Sequence, residues 1–229
     1  MNEIVKPFKE SLFDTSFQEF AVDVMELGID SVLKDGSLRD VPIVRTIVGL
    51  ANFAANIHDR YLLTQTLIFI QEFNKNAESE DVKKHIAKYK REIDEDPKKA
   101  ERELGRVMVI LNRIIDDTKT LILSKLYLSY IEKNLEWSEF CDLSEVTEKI
   151  FTTDISVLKD IYSNNPDFDE NKLHNYQRLV SVGLLKNDSK FDSGTSSVMF
   201  VPEDGAESTK MELTLLGSQF AKIVSDILN

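Results

Sequence analysis

The sequence predicts a mainly α protein: an N-terminal helical bundle over residues 1–135, followed by a smaller α+β domain with one β-hairpin over residues 136–229. Three observations carry this reading. Apolar side chains make up 42 % of the chain and recur at three- and four-residue spacing, with only 8 Gly and 5 Pro to interrupt them, the pattern of amphipathic and buried helices. Strand-like runs occur only near the C-terminus. The charge balance also changes near residue 135, since residues 1–135 hold 20 basic and 23 acidic side chains while residues 136–229 hold 8 and 17. At about 150 residues per domain, two modest domains are expected, each able to bury its own core.

In the first half, Phe17, Phe20, Ala21, Val24, Leu27 and Val32 form a helical stripe ended by the turn signal Asp35-Gly36, predicting a helix at 16–33. Asp40 is the expected N-cap of the next element, with Pro42 in its first turn. The run Ile43 to Ile57 is apolar on almost every side, as in a helix surrounded by others. His58-Asp59-Arg60 breaks the run before Leu62, Leu63, Leu67, Ile68, Ile70 and Phe73, and 41–74 reads equally well as one helix or two. Glu80 and Asp81 open a polar helix that closes on Lys88, Lys90 and Arg91, an order that complements the helix dipole. Its thin apolar stripe is Val82, Ile86 and Tyr89. The longest helix is expected from Pro97 to Asn134, with Leu104, Val107, Leu111, Ile114, Leu121, Leu128 and Ile131 on one face. Ile47, Leu50, Leu67, Ile70, Leu111 and Ile114 are the predicted core.

The second half reads as short helices at 136–150, 153–163 and 169–182, strands at Ser197–Val201 and Lys210–Leu213 around a polar loop with Gly205, and a final helix at 215–228. No internal repeat or low-complexity tract appears.

Composition narrows the function classes. With 28 basic against 40 acidic residues the chain carries −12, which repels phosphate and anionic lipid. The N-terminal residues lack the apolar core of a signal peptide, and one Cys suits a reducing compartment, so a cytoplasmic location is expected. Val41 to Ile57 is the nearest approach to a membrane span, but it is short and holds Arg45, Asn52 and Asn56, so a buried helix is the better reading and no integral span is expected.

Catalytic and metal-binding constellations are sparse. His58-Asp59 resembles the central pair of the metal-dependent phosphohydrolases named for that dipeptide, but His85 and His174 lie on segments without the matching spacing, and a polar helix break explains the pair. Asp116-Asp117 is expected inside the long helix, paired with Arg113 or Lys119. Cys141, beside Trp137 and Phe140 on an apolar face, reads as an inert thiol. With three His, one Cys, no Gly-rich phosphate loop and no zinc spacing, the sequence implies no enzyme, no cofactor, no metal site and no catalytic residue.

From Leu173 to Phe220 a helix closes on Gly183-Leu184-Leu185, a strand-loop-strand follows, and Leu213-Thr214-Leu215-Leu216-Gly217 opens a last helix. Gly183 suits a left-handed helix stop and Thr214 an N-cap. This order resembles the end of winged-helix domains, so the second domain is expected to be winged-helix-like. If the module reads DNA or a partner, the candidate contacts are Lys172, His174, Asn175, Gln177 and Arg178 on the helix, with Lys190 and Lys210 on the wing. Asp167, Asp169 and Glu170 at the helix start, and Asp188, Asp192, Glu203, Asp204 and Glu207 on the wing, oppose nucleic acid.

The helical region with Val41-Pro42-Ile43-Val44 and Val48-Gly49-Leu50, followed by the helix closing on Gly-Leu and the ending Leu213-Thr214-Leu215-Leu216-Gly217-Ser218-Gln219-Phe220, is similar to the abortive-infection alpha proteins of bacteria and their phages. That resemblance implies a cytoplasmic protein of phage defence or prophage competition, with no catalytic residues to carry over. The expected function is non-enzymatic interaction with another protein, of host or phage; a homodimer is compatible with the apolar first half. The alternatives are a winged-helix transcriptional regulator, dimerised by its first half, and membrane attachment through the run near residue 50.

Overall fold

Polar N-caps divide the apolar runs of the first half into separate helices. Asn56 Oδ1 accepts from the backbone N–H of His58 and Asp59, Ser79 from Val82, Asp96 from Lys98 and Lys99, and Asp116 from Lys119. Each satisfies donors that a helix start leaves open. A computed structural model of the chain describes residues 2–14, 28–36, 38, 40–49, 56–164, 169–187, 211–225 and 227. It is mainly helical, with one small two-stranded antiparallel sheet, and divides into two compact units, Met1–Glu148 and Lys149–Asn229.

The first unit contains α1 (Asn2–Leu12), α2 (Ile29–Asp35), α3 (Pro42–Val48), α4 (Ile57–Asn76), α5 (Glu80–Glu95), α6 (Pro97–Leu111), α7 (Asp117–Ile131) and α8 (Trp137–Lys149). The long α4 and α7 pack against each other, α1 packs on α3, α6 and α4, and α5 folds back on α6 across Asp96. Phe69, Phe73, Tyr89, Tyr127 and Phe140 are at most 2 % exposed and form one aromatic core, with ring centroids 6.0 Å apart for Phe69 and Tyr127 and 5.4 Å for Tyr127 and Phe140. Each such side chain contributes about 1.5–3 kcal/mol by leaving water. Of the predicted core, Ile47, Leu67, Ile70, Leu111 and Ile114 are buried; Leu50 lies outside the described residues.

Several sequence expectations are corrected here. The 97–134 helix is two, because Asn112 and Arg113 turn the chain and Asp116 caps a new start, so Asp116-Asp117 begins α7 rather than lying within a rod. The stretch 41–74, open between one helix and two, holds α3 and α4 among its described residues. A continuous helix at 16–33 is excluded by Gly28, whose φ of 71° and ψ of 154° precede α2; Phe17 to Leu27 lie outside the described residues. Gly36 does close α2 in the left-handed conformation. Asp40 is not a cap: Val41 occupies that position, and Ser11 Oγ of α1 accepts from the Ile43 N–H at 3.0 Å instead. The units part after Glu148 rather than near 135, because Phe140 and Leu143 of α8 are fully buried and Phe140 packs on the α7 rings Tyr127 and Tyr130.

The second unit contains α9 (Thr152–Asn164), a 3₁₀ turn at Glu170–Lys172 leading into α10 (Leu173–Ser181), strands β1 (Leu185–Asn187) and β2 (Met211–Leu213), and α11 (Leu215–Val224). The strands pair Leu185 with Leu213 and Asn187 with Met211, and Lys186 meets Glu212 across the ladder at 3.3 Å. The first strand therefore starts directly after the turn. Gly183 at φ 77° turns the chain out of α10, and buried Leu184 leads into Leu185, the first residue of β1. The expected strand at Ser197–Val201 and loop at 202–208 lie outside the described residues. Ile155, Leu158, Leu179, Leu184, Phe220 and Val224 form the core at 0 % exposure.

Candidate functional site

The contact candidates on α10 divide by their partners in the second unit. Asp154, in the first turn of α9, accepts from the Phe151 N–H at 2.9 Å and is fully buried. Its other ligands come from α10: Asn175 Nδ2 donates to Oδ1 at 2.7 Å, Arg178 Nη2 to Oδ1 at 2.6 Å, and Arg178 Nε to Oδ2 at 2.9 Å. The guanidinium also stacks on the Phe151 ring, 4.7 Å from its centroid. Burial alone would raise the Asp154 carboxyl pKa, but the Arg178, Phe151 and Asn175 hydrogen bonds outweigh it and hold the group below the ordinary carboxylate range. Arg178 and Asn175 thus fasten α10 to α9.

Lys172 Nζ lies 3.2 Å from Asp160 Oδ2. His174 and Gln177 are exposed one turn apart on α10, with Glu170 and Ser181 along the same outward stripe. That stripe is polar and carries no cation. Lys190 and Lys210 lie outside the described residues; the structure gathers His174, Asn175, Gln177 and Arg178 on α10, with Lys172 in the turn before it, and among these leaves His174 and Gln177 exposed and outside the pairing network.

Sequence reasoning missed a second polar cluster, in the core of the first unit. Glu103 of α6 is 1 % exposed. Its Oε2 accepts from Tyr89 Oη at 2.8 Å and Tyr130 Oη at 3.0 Å, while Oε1 accepts from Arg102 Nη2 at 2.9 Å. Tyr89 and Tyr127 hydroxyls lie 2.7 Å apart; since the Tyr89 proton is directed to Glu103, Tyr127 donates to Tyr89. Burial above all pushes the three phenol pKa values above their usual range; the Glu103 charge adds to the shift at each, after that of Tyr127 in the case of Tyr89. They remain protonated donors, which suits a structural clamp and not a base. The available signals were Glu103 directly before Leu104 in an apolar stripe, and Tyr127 and Tyr130 three residues apart.

Other candidates resolve into local structure. His58 and Asp59 form the first turn of α4, where Asn56 Nδ2 donates to Asp59 Oδ2 at 2.6 Å. Asp117 accepts from Gln65 Nε2 at 2.8 Å, and Gln65 Oε1 accepts from the Thr120 hydroxyl, tying α4 to α7. Of the expected partners, Arg113 meets Glu148 at 3.5 Å, while Lys119 donates its backbone N–H to Asp116 at 3.2 Å and its Nζ to the Glu148 carbonyl at 2.9 Å. Burial raises the Cys141 thiol pKa. An open groove of about 200 Å³ between α1, α5 and α6 is bridged by Lys9 and Asp94 at 2.8 Å. Among the described residues no three His, Cys, Asp or Glu side chains converge as a metal site requires, and no helix is long and apolar enough to cross a membrane.

The chain matches no family model, and neither curated proteins nor solved structures contain a significant match.

Proposed function

We propose that this chain is a non-enzymatic protein-interaction module whose second unit is a winged-helix-like domain turned to protein contact, acting in bacterial phage defence or prophage competition. One observation carries the interaction reading: the two cations with which such a helix and its entry turn would hold phosphate are paired within the unit, Arg178 with buried Asp154 and Lys172 with half-exposed Asp160. The exposed stripe of Glu170, His174, Gln177 and Ser181 suits hydrogen bonding to a protein surface better than a phosphate backbone, which each contact must neutralise. The link to phage defence rests on the resemblance carried by residues 41–50 and 173–223.

A second reading, a winged-helix transcriptional regulator, draws support from the order α9, α10, β1, β2, α11 and the left-handed stop at Gly183. Affinity purification of the full chain from its own cells during phage challenge separates the two. A protein retained by the wild type and lost with the double variant His174→Ala, Gln177→Ala supports the interaction module. Specific DNA recovered in its place would overturn it.

A further inference from the structure

The central turns of α5 present an outward row of cations, of which Lys83 pairs with Glu80 at 3.0 Å and Lys84 with Asp81 at 3.6 Å. Lys83, Lys84, Lys88, Lys90 and Arg91 are exposed there around a small exposed residue, Ala87, while Tyr89 and Ile93 bury the opposite side. Elsewhere in the first unit Lys9, Lys99, Arg102, Arg106 and Arg113 are each held by a carboxylate. Lys88, Lys90 and Arg91 carry no ion pair among the described residues, in a chain with 40 acidic side chains. Four carboxylates bound the row: Glu80 and Asp81 in the first turn, and Asp94 and Glu95 in the last.

We propose that this face of α5 docks an acidic, carboxylate-centred segment of a partner protein, a step that rests on the interaction reading and names the chemistry of the partner. Lys84, Lys88 and Arg91 share one side of the helix and, at ~1.5 Å per residue, extend over ~10 Å. A helix face or extended strand with two or three carboxylates at its centre matches that length. A polynucleotide does not, because past both ends of the row its backbone meets the ion-paired Glu80, Asp81 and Asp94 and the carboxylate of Glu95, with no further cation of α5 to neutralise it. The acid-base-acid order along α5 therefore selects for a short anionic patch flanked by neutral or basic residues.

The test uses the full chain and a synthetic helical peptide with Glu at three positions of one face and Lys at both ends. A peptide with Glu throughout and a 20-nucleotide duplex serve as competitors. The wild type binds the Glu-centred peptide more tightly than either competitor, and binding weakens as salt rises from about 0.05 to 0.5 M because the Debye length shortens. The triple variant Lys88→Glu, Lys90→Glu, Arg91→Glu loses about tenfold or more in affinity, as three exposed pairs made repulsive imply. Its melting temperature stays near the wild-type value, and a Lys88→Gln, Lys90→Gln, Arg91→Gln variant falls between the two. Equal binding by wild type and triple variant, or tighter binding of the duplex through the same residues, would overturn the proposal. So would a wild-type dimer dissolved by the triple variant, which would assign the face to a second copy of this chain. DNA binding through His174 and Gln177 would remove the interaction reading while leaving the outcome on α5 separately measurable.

Discussion

Arg178 shows how a single side chain changes meaning once its neighbours are known. As a basic residue on a candidate recognition helix it reads as a phosphate contact; in the fold it closes a bidentate pair with an aspartate 24 positions earlier. No local pattern reveals that pairing, because Asp154 looks like an ordinary first-turn carboxylate until α9 and α10 pack. Glu103 was hidden for the same reason, since its tyrosine partners lie 14 and 27 positions away. Both sites make predictions. Asp154 has a depressed pKa in the fold, so its stabilising contribution is complete above the unfolded value of about 3.9 and is lost as pH falls through the lower folded value. Thermal unfolding followed below about pH 4 should show a shallower acid slope for the second unit in Asp154→Asn than in the wild type, together with lower stability at neutral pH. Equal slopes would mean the pair is not formed. In the first unit, Tyr89→Phe removes one Glu103 bond and deprives buried Tyr127 of its acceptor, so urea unfolding should show a loss of about 1–3 kcal/mol.

At the scale of elements, the sequence located most helices because their apolar stripes are regular, and it misjudged their limits where one polar residue decides. Asp116 lies within a continuous apolar period, so the stripe hid the break that its side chain creates by accepting from Lys119. Thr214 and Gly183 were legible because their local chemistry is sufficient: Thr214 Oγ1 accepts from the Gly217 N–H at 2.9 Å and Gly183 takes φ 77°. The close approach at Gly217 was not. A Cβ there would fall 1.9 Å from the Leu184 carbonyl oxygen, a backbone atom that cannot swing aside. Gly217→Ala should therefore destabilise the second unit by more than Thr214→Ala, whose lost cap costs about 1 kcal/mol; calorimetry that ranks them in the reverse order would refute this packing. Leu67, fully buried on α4, should cost about 2–5 kcal/mol on change to Ala.

At the scale of the whole molecule, the charge step near residue 135 suggests the start of an acidic second domain. It belongs instead to Glu136 and the carboxylates of α8, Glu139, Asp142, Glu145 and Glu148, which lie in the first unit; residues 149–229 hold 8 basic and 12 acidic side chains. A net field that small is screened beyond about 8 Å at physiological salt, so it cannot by itself exclude DNA. The proposed protein-contact reading rests instead on the local pairing of Lys172 and Arg178. Arg178→Ala is a poor probe of it, because leaving Asp154 buried and unpaired destabilises the unit; His174 and Gln177 are the exposed positions to change. The most direct measurement is a titration of the purified chain with duplex DNA at physiological salt, alongside the variant His174→Ala, Gln177→Ala. The account predicts no binding tighter than about 10⁻⁶ M, the non-specific range, with wild type and variant indistinguishable. Nanomolar, sequence-selective binding that the variant loses would contradict it.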